Sequence, residues 1–491
     1  MVSYETKDGD RTKFDKVEAA RSLDRFDVFH DWLIRNGSKF PKLELKDYGN
    51  EVRGCHTVQC VGDDEIIIEI PLKCLITVEM GQDTDIGRQI LSSNIELDAP
   101  KHIFLMIFML LDRRNPHSFF KPYYDILPPT LSNMPIFWSK KELAYLEGSY
   151  ILTQIEERNV AIETDYRAIC SIVPEFSELC TLNDFKWARM CVCSRNFGLM
   201  INGLRTAALV PYADMLNHYR PRETKWQFDN VLQGFTIVSM QGIAAGMQVY
   251  DSYGQKCNHR FLLNYGFSVE NNMEPDGFCP NEVPLLLQLQ QSDPLYEFKC
   301  SYFRRDACLP SKRIRVCLAE NENYHMLLCL LRIVVADQDD MNVLTSVSGE
   351  RGGRSIRDAQ IAINVDNELR AMRLLLSITR EYLSQYPHTL QEDVDRLAND
   401  VSLQPFSNER HAIIQVKGEK EVLHFLQDFS ETAINLLQIR SSRELYQEMK
   451  GLQERKHQVL CSYVRSLLPL KNEEYGDARG GGGLYTGDAQ K

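Results

Sequence analysis

A chain of 491 residues is too long for one hydrophobic core, so two or three domains are expected. Apolar residues make up 44% and charged residues 25%, the balance of an ordinary globular protein. The net charge of −12 argues against broad, sequence-independent binding to nucleic-acid phosphates and suits a basic partner, such as a lysine-rich protein segment. Fourteen cysteines are scattered without a framework, and Met1 to Lys13 is too polar for a secretory signal, so reduced thiols and an intracellular location, cytoplasmic or nuclear, are expected. The longest apolar run, Ile103 to Leu111, falls far short of the ~20 residues of a bilayer span. A second run, Met326 to Ala336, is broken by Arg332, and no membrane segment is expected.

In chain order, residues 1–24 are dominated by charge and read as an N-terminal arm. Phe26, Phe29, Trp32 and Leu33 share one helical face, with Gly37 placed to stop that helix. Ile66 to Ile70, closed by Pro71, predicts a buried strand. From about 85 to 195 the pattern is helical. It includes an apolar helix over Pro100 to Arg114, a loop punctuated by Pro122, Pro128 and Pro129, and a helix to Arg195 capped by Asn183 or Asp184. Strand character returns at Gly234 to Met240 and Met247 to Asp251, with Gly242 to Gly246 as the turn. Beyond about 284 the chain reads as helical, most clearly at Asn367 to Tyr386, Glu421 to Leu437 and Leu445 to Leu467. Gly480 to Gly483 mark a disordered tail over 471–491.

Several short motifs lie along this frame. They are Trp32-Leu33, Arg53-Gly54-Cys55, Ser194-Arg195, the run Asp214-Met215-Leu216-Asn217-His218, and Tyr253 followed by Tyr265-Gly266-Phe267. The helical region adds Asn367-Glu368-Leu369-Arg370-Ala371 and Gly418-Glu419-Lys420. Singly these are weak, because an Asn-His pair is commonly a capped turn and a Tyr-Gly pair a strand end. As an ordered set they resemble the SET-domain methyltransferases, in the subgroup that includes the Rubisco large-subunit lysine methyltransferases and the actin-histidine methyltransferases.

The resemblance implies an α+β protein. A β-rich SET domain over 25–283, with its helical insertion at 85–195, would precede an all-α substrate-binding domain over 284–470. It implies S-adenosylmethionine (AdoMet) as cofactor and a protein substrate docked on the helical domain of a monomer, with neither nucleic acid nor membrane. Cofactor contacts would come from Arg53, Gly54, Cys55, Arg195, Asp214, Met215, Leu216, Asn217, His218, Tyr265, Gly266 and Phe267.

Each assignment has a chemical reason. The guanidinium of Arg195 matches a carboxylate, Gly54 lets backbone approach closely, and Asn217 would hold the ammonium. His218 would meet the purine through its backbone, and Phe267 would pack on the purine face. The subgroup usually has a second glycine two residues after Gly54, where this chain has His56.

For the transfer step Tyr253 is the catalytic candidate and Tyr265 lines the substrate channel. A phenol with a pKa of about 10 is protonated at pH 7, so Tyr253 orients the acceptor nitrogen rather than acting as a base. Neutralising a lysine of pKa ≈ 10.4 at pH 7 costs about 4.6 kcal/mol, whereas an imidazole of pKa ≈ 6.5 is already largely neutral. In the actin-histidine enzymes a Trp precedes the Asp of the Asn-His motif, and an Asn lies two residues after the Arg of the Ser-Arg motif. Ala213 and Phe197 stand there and resemble the lysine-directed members, so a lysine acceptor is expected. A histidine acceptor is the alternative, and a catalytically silent SET-fold adaptor is the reading from another class.

No metal ligand is assigned. Cys191 and Cys193 fall mid-helix on different faces, and Lys256 and Arg260 beside Cys257 and His259 disfavour a cation, leaving His259 as a surface or cap residue.

Overall fold

The computed structural model describes residues 25–476, apart from 50–51, 307, 309, 350–354, 441 and 455–457. The charged arm expected over 1–24 lies outside the described residues, as does the expected tail from 477 on. Residues 471–476 continue a helix. The chain forms two compact units. The first takes residues up to Trp138, Thr153–Gln255 and Arg260–Phe267, and the second takes Ser139–Leu152, Lys256–His259 and Ser268 onward.

The first unit opens with a helix over 25–35 that buries Phe29 and Leu33 and stops at Gly37, which adopts φ 93°. Ten strands follow: β1 (Leu43–Gly49), β2 (Val52–Thr57), β3 (Ile66–Pro71), β4 (Ile76–Thr77), β5 (Asn196–Ile201), β6 (Leu204–Leu209), β7 (Asn217–His218), β8 (Thr224–Asp229), β9 (Gly234–Ser239) and β10 (Gln248–Asp251). They make three small sheets, in the orders β1-β2-β10-β7, β3-β9-β8 and β4-β6-β5.

The β-branched run at 66–70 becomes β3, whose Ile67, Ile68 and Ile70 are buried with Phe235 and Ile237 of β9. Each such side chain contributes about 1.5–3 kcal/mol by leaving water. The strands flanking Gly242–Gly246 do not pair with each other. β9 lies between β3 and β8, while β10 pairs antiparallel with β2 and parallel with β7. A turn in sequence therefore carries the chain from one sheet to another, which a local pattern does not reveal.

Helices α1 (Pro100–Asp112) and α2 (Leu182–Arg195) pack in the same unit, α1 entering with Pro100 in its first turn. The cap of α2 is Thr181 rather than Asn183 or Asp184. Its side chain accepts from the Asp184 backbone N–H, and Asp184 returns a carboxylate to the Thr181 N–H, a closed capping box. Pro122 sits inside a short helical turn, Lys121–Tyr124, where a missing N–H costs nothing. Helix α3 (Asn258–Tyr265) ends at Gly266.

The second unit is mostly helical, and the α+β reading of the chain holds. It is not all helix. β11 (Glu282–Gln288) and β12 (Ser311–Cys317) form an antiparallel pair whose alternate residues Val283, Leu285, Leu287, Ile314 and Val316 are buried. Its helices include α4 (Glu322–Val334), α5 (Val365–Ser384), α6 (Leu390–Asn399), α7 (Asn408–Gln438) and α8 (Gln458–Gly476). Arg332, which interrupts an apolar run in the sequence, is 2% exposed. Its guanidinium pairs with Glu368 and donates to Ala359 O at 2.8 Å and Gln360 O at 2.7 Å, and Tyr463 donates to Glu368 at 2.8 Å. Among the described residues no helix is long and apolar enough to cross a membrane.

Candidate active site

Two adjoining clusters in the first unit hold the residues singled out above. The polar cluster grows from the end of α2 and the segment leading into β7. Arg195, in the last turn of α2, places Nη1 3.1 Å from Asp214 Oδ2 and 3.2 Å from Asp214 O. Tyr123 donates to the same carboxylate at 2.8 Å. The Asp214 side chain is sealed from solvent, and burial together with that carboxylate pushes the Tyr123 phenol well up. Arg195, expected to meet a ligand carboxylate, thus already holds an internal one. Burial opposes its charge, but Asp214 more than offsets this and holds its pKa above the usual arginine value. Its Nε is buried and has no hydrogen-bond partner among the described residues.

Tyr212, just before this run, sits at φ 77° and ψ −47°, an unusual conformation for a bulky residue. It is held there by burial and by stacking on Phe40 at 3.9 Å.

Arg53 lies on β2, donates to Ile126 O at 2.7 Å and sits 5.4 Å from the Phe26 ring centroid. Burial, with Arg195 nearby, lowers it to about 10. Its carbonyl accepts from Asn217 Nδ2 at 2.8 Å, and the same amide donates to Gln248 Oε1 at 2.9 Å. The Asn-His motif is thereby tied to the Arg53 strand.

Gly54 allows a close approach, but by side chains of this protein. A Cβ there would lie 2.5 Å from Tyr48 Oη and 2.9 Å from Gln248 Cδ. Cys55 points into the core, beside Tyr212, and burial pushes its thiol up to about 12, so its cofactor role could only be through backbone. His56, in place of the second glycine, forms a polar chain. Its Nδ1 meets Gly246 O at 2.9 Å, its Nε2 meets Tyr48 Oη, and Gln248 donates to Tyr48 at 2.8 Å. Strand β2 stays regular through it, in register with both β1 and β10.

The aromatic cluster follows. β7 carries Asn217 and His218 opposite Tyr250 and Asp251 of β10. The Tyr253 N–H donates to His218 Nδ1 at 3.0 Å, which fixes that ring, and the Tyr253 hydroxyl donates to Leu216 O at 2.8 Å. The His218 ring lies 4.7 Å from Phe261, 5.2 Å from Tyr253 and 6.1 Å from Phe267. Tyr253 stacks on Tyr265 at 4.8 Å, and Phe267 on Phe261 at 5.2 Å. Burial raises the Tyr253 phenol above its usual value and takes Tyr265 up to about 12. Gly266 (φ 78°) makes the turn between Tyr265 and Phe267, where a Cβ would strike the Asn133 side chain at 2.2 Å.

Asn217, His218, Tyr253, Tyr265 and Phe267 all keep partial exposure, whereas Ala213, Met215 and Leu216 are buried. Phe197 is held between Trp226 and Phe235, at 5.3 and 4.9 Å. Tyr48, Tyr123 and Gln248 carried no signal in the sequence. They enter through strand register and a buried carboxylate.

These features fit AdoMet in part. Asn217 Oδ1 and nearby carbonyls suit an ammonium, Phe267 and His218 offer faces for a purine, and the buried Arg195 Nε is an unused donor. The fit is least complete at Gly54, where Tyr48 and Gln248 fill the space.

A family model described as Rubisco LSMT substrate-binding matches residues 290–423. The actin-histidine N-methyltransferases of Homo sapiens and Mus musculus are each 26% identical, over 471 and 474 residues, covering 93% of this chain and 75% of theirs. The crystal structure of the SET domain of LSMT bound to lysine and AdoHcy superposes with a TM-score of 0.71 at 22% identity, over 88% of this chain and 96% of that one. Rubisco LSMT bound to AdoMet gives 0.69 at 23%, over 87% and 96%. The resemblance drawn from the ordered motifs is borne out: the chain has the SET fold, carries a Rubisco LSMT substrate-binding domain and is similar along most of its length to actin-histidine methyltransferases.

Proposed function

We propose that this chain is an AdoMet-dependent protein N-methyltransferase whose acceptor is a histidine side chain of a protein docked on the Rubisco LSMT substrate-binding domain. The similarity to actin-histidine methyltransferases over 93% of the chain supports an imidazole acceptor over the lysine expected from sequence. The observation that carries the transferase reading is the Tyr253 hydroxyl, fixed on Leu216 O among the rings of His218, Tyr265 and Phe267.

Bound AdoMet supplies an activated methyl on a sulfonium. Asn217, with the Arg53 and Leu216 carbonyls, would hold the ammonium end, and Arg195 would support that end through Asp214 and its Nε. Phe267 and the His218 backbone would take the purine. Tyr253 stays protonated, because burial raises its pKa, so it orients the acceptor nitrogen and removes no proton. Tyr265 walls the channel. Positioning of this kind can lower a barrier by about 7–11 kcal/mol. An imidazole needs no base, since its attacking nitrogen is unprotonated at neutral pH.

The lysine reading retains one specific observation. Ala213 is small and buried, and Phe197 is apolar and packed, so neither offers the Trp and Asn of the histidine enzymes.

The pH dependence of kcat/KM separates the two, measured with labelled AdoMet and actin or cell extract. An imidazole acceptor predicts a rate that falls below about pH 6.5 and is flat from 7 to 9. A lysine acceptor predicts a rise of about tenfold per pH unit across that range. Tyr265, at about 12, adds no falling limb there. A tenfold-per-unit rise would discard the histidine reading. Absence of AdoMet binding by calorimetry would discard both in favour of the adaptor.

A further inference from the structure

We propose that Cys257, His259 and Glu282 form a binding site for a divalent transition metal, Zn²⁺ by the chemistry of its donors, with water in a fourth position. The three donor atoms converge. Cys257 Sγ lies 3.4 Å from His259 Nε2 and 3.7 Å from Glu282 Oε1, and His259 Nε2 lies 3.7 Å from the same oxygen. Bond lengths of about 2.3 Å to sulfur and 2.0–2.2 Å to nitrogen and oxygen, at tetrahedral angles, place such donors roughly 3.3–3.6 Å apart. The observed triangle meets that spacing within a few tenths of an ångström.

The alternative for such a trio is a hydrogen-bonded relay, in which thiol and carboxylate address opposite nitrogens of the imidazole. Here both approach Nε2, and one ring nitrogen carries at most one proton. The thiol also lies within donating reach of Glu282 Oε1, and it is the convergence of all three donor atoms on one point that a shared cation requires.

Burial and scaffolding point the same way. Cys257 is 4% and His259 5% exposed, so His259 is not the surface residue its neighbours suggested, while Glu282 leaves its side chain 21% open as an access route. The Cys257–His259 segment is fixed to the start of β11 by three buried amides. Asn258 N–H donates to Asn281 Oδ1 at 3.1 Å, Asn272 Nδ2 donates to Asn281 Oδ1 at 2.8 Å and to Lys256 O at 3.0 Å, and Asn258 exchanges both its amide hydrogen bonds with Val269. Gly418 leaves room for this network, since a Cβ there would lie 2.7 Å from Asn281 Nδ2. Such outer contacts preorganise donors.

Arg315 places Nη1 3.6 Å from Glu282 Oε1. Metal binding sends the Cys257 proton to solvent. Thiolate and carboxylate then balance a dication, leaving Arg315 as an outer partner of Glu282.

Cobalt(II) titration of the full chain after chelator dialysis tests the site. One Co²⁺ per chain is expected, with d–d bands of four-coordinate intensity and a thiolate-to-cobalt charge-transfer band, both displaced by one equivalent of Zn²⁺. Cys257→Ser removes the charge-transfer band, and Glu282→Gln, at a partly exposed position, weakens Co²⁺ affinity about tenfold or more. Added Zn²⁺ raises the thermal midpoint of the unaltered protein but not that of Cys257→Ser. Retention of the charge-transfer band in Cys257→Ser would assign it to another of the fourteen cysteines and overturn the proposal, as would a chain that takes up no Co²⁺.

Discussion

At the residue scale, the proposed site divides its labour between groups that would face a ligand and groups that hold them. Tyr253 and Asn217 face outward with partial exposure; Asp214, sealed and shared by Arg195 and Tyr123, holds. Tyr253→Phe removes one hydroxyl and no packing area. AdoMet affinity should therefore stay within a few-fold by calorimetry, while kcat falls about a hundredfold, the scale for a misplaced acceptor. Unchanged turnover would remove Tyr253 from the mechanism. Asn217 and Tyr253 could be picked out from their order along the chain. Tyr123, Tyr48 and Gln248 could not, because each reaches its partner only through contacts 91, 8 and 31 residues away in sequence. His56, a departure from the subgroup pattern, becomes intelligible once β10 brings Gly246 and Gln248 beside it.

At the element scale, two motifs that resemblance assigned to the substrate-binding domain prove to hold its helices together. Glu368 on α5 neutralises Arg332 on α4, both nearly inaccessible, and Lys420 on α7 pairs with Asp393 on α6 at 2.6 Å with each side chain 2% exposed. Removing one member of such a pair strands a buried charge. Arg332→Met should cost about 3–5 kcal/mol in urea unfolding, and adding Glu368→Leu should recover most of it. A single substitution that costs under 1 kcal/mol would show that the pair is solvated. The helices themselves were readable from their 3.6-residue period. The hairpin β11–β12 was missed because its apolar run at 283–289 is short and nearly continuous on one strand, where periodicity cannot separate strand from helix.

At the scale of the whole molecule, buried titratable groups set the response to acid. His411, whose Nδ1 accepts from the Ser268 N–H at 3.1 Å, is lowered by burial from 6.5 to about 4. Its unfolded form binds a proton that the folded form refuses, so stability is lost as pH falls from 6.5 towards 4, by up to about 3 kcal/mol. Glu419, buried with Tyr386 and Gln415, is raised by burial from 4.5 to about 7. Here the folded form keeps a proton that the unfolded form releases, so stability is lost as pH rises from 4.5 towards 7, by a similar amount. Both lie in the second unit, and their slopes cancel between 4.5 and 6.5. Glu419→Gln should therefore expose the His411 slope, adding a loss of about 3 kcal/mol relative to the unaltered protein on going from pH 6.5 to 4.5 in urea titrations. An unaltered slope in Glu419→Gln would refute the compensation. In the first unit His102, lowered by burial to about 4, acts in the same direction as His411, its contribution being lost as pH falls below 6.5.

Local pattern alone determined the helices, the buried strand at 66–70 and the order of the Asn-His and tyrosine motifs, since periodicity and spacing are properties of neighbours in the chain. Tertiary structure decided what those motifs touch. It gave Arg195 an internal carboxylate, laid Tyr48 and Gln248 over Gly54, and gathered Cys257, His259 and Glu282 around one nitrogen. Each of these depends on which strand lies beside which, and on charges that must find partners once water is gone.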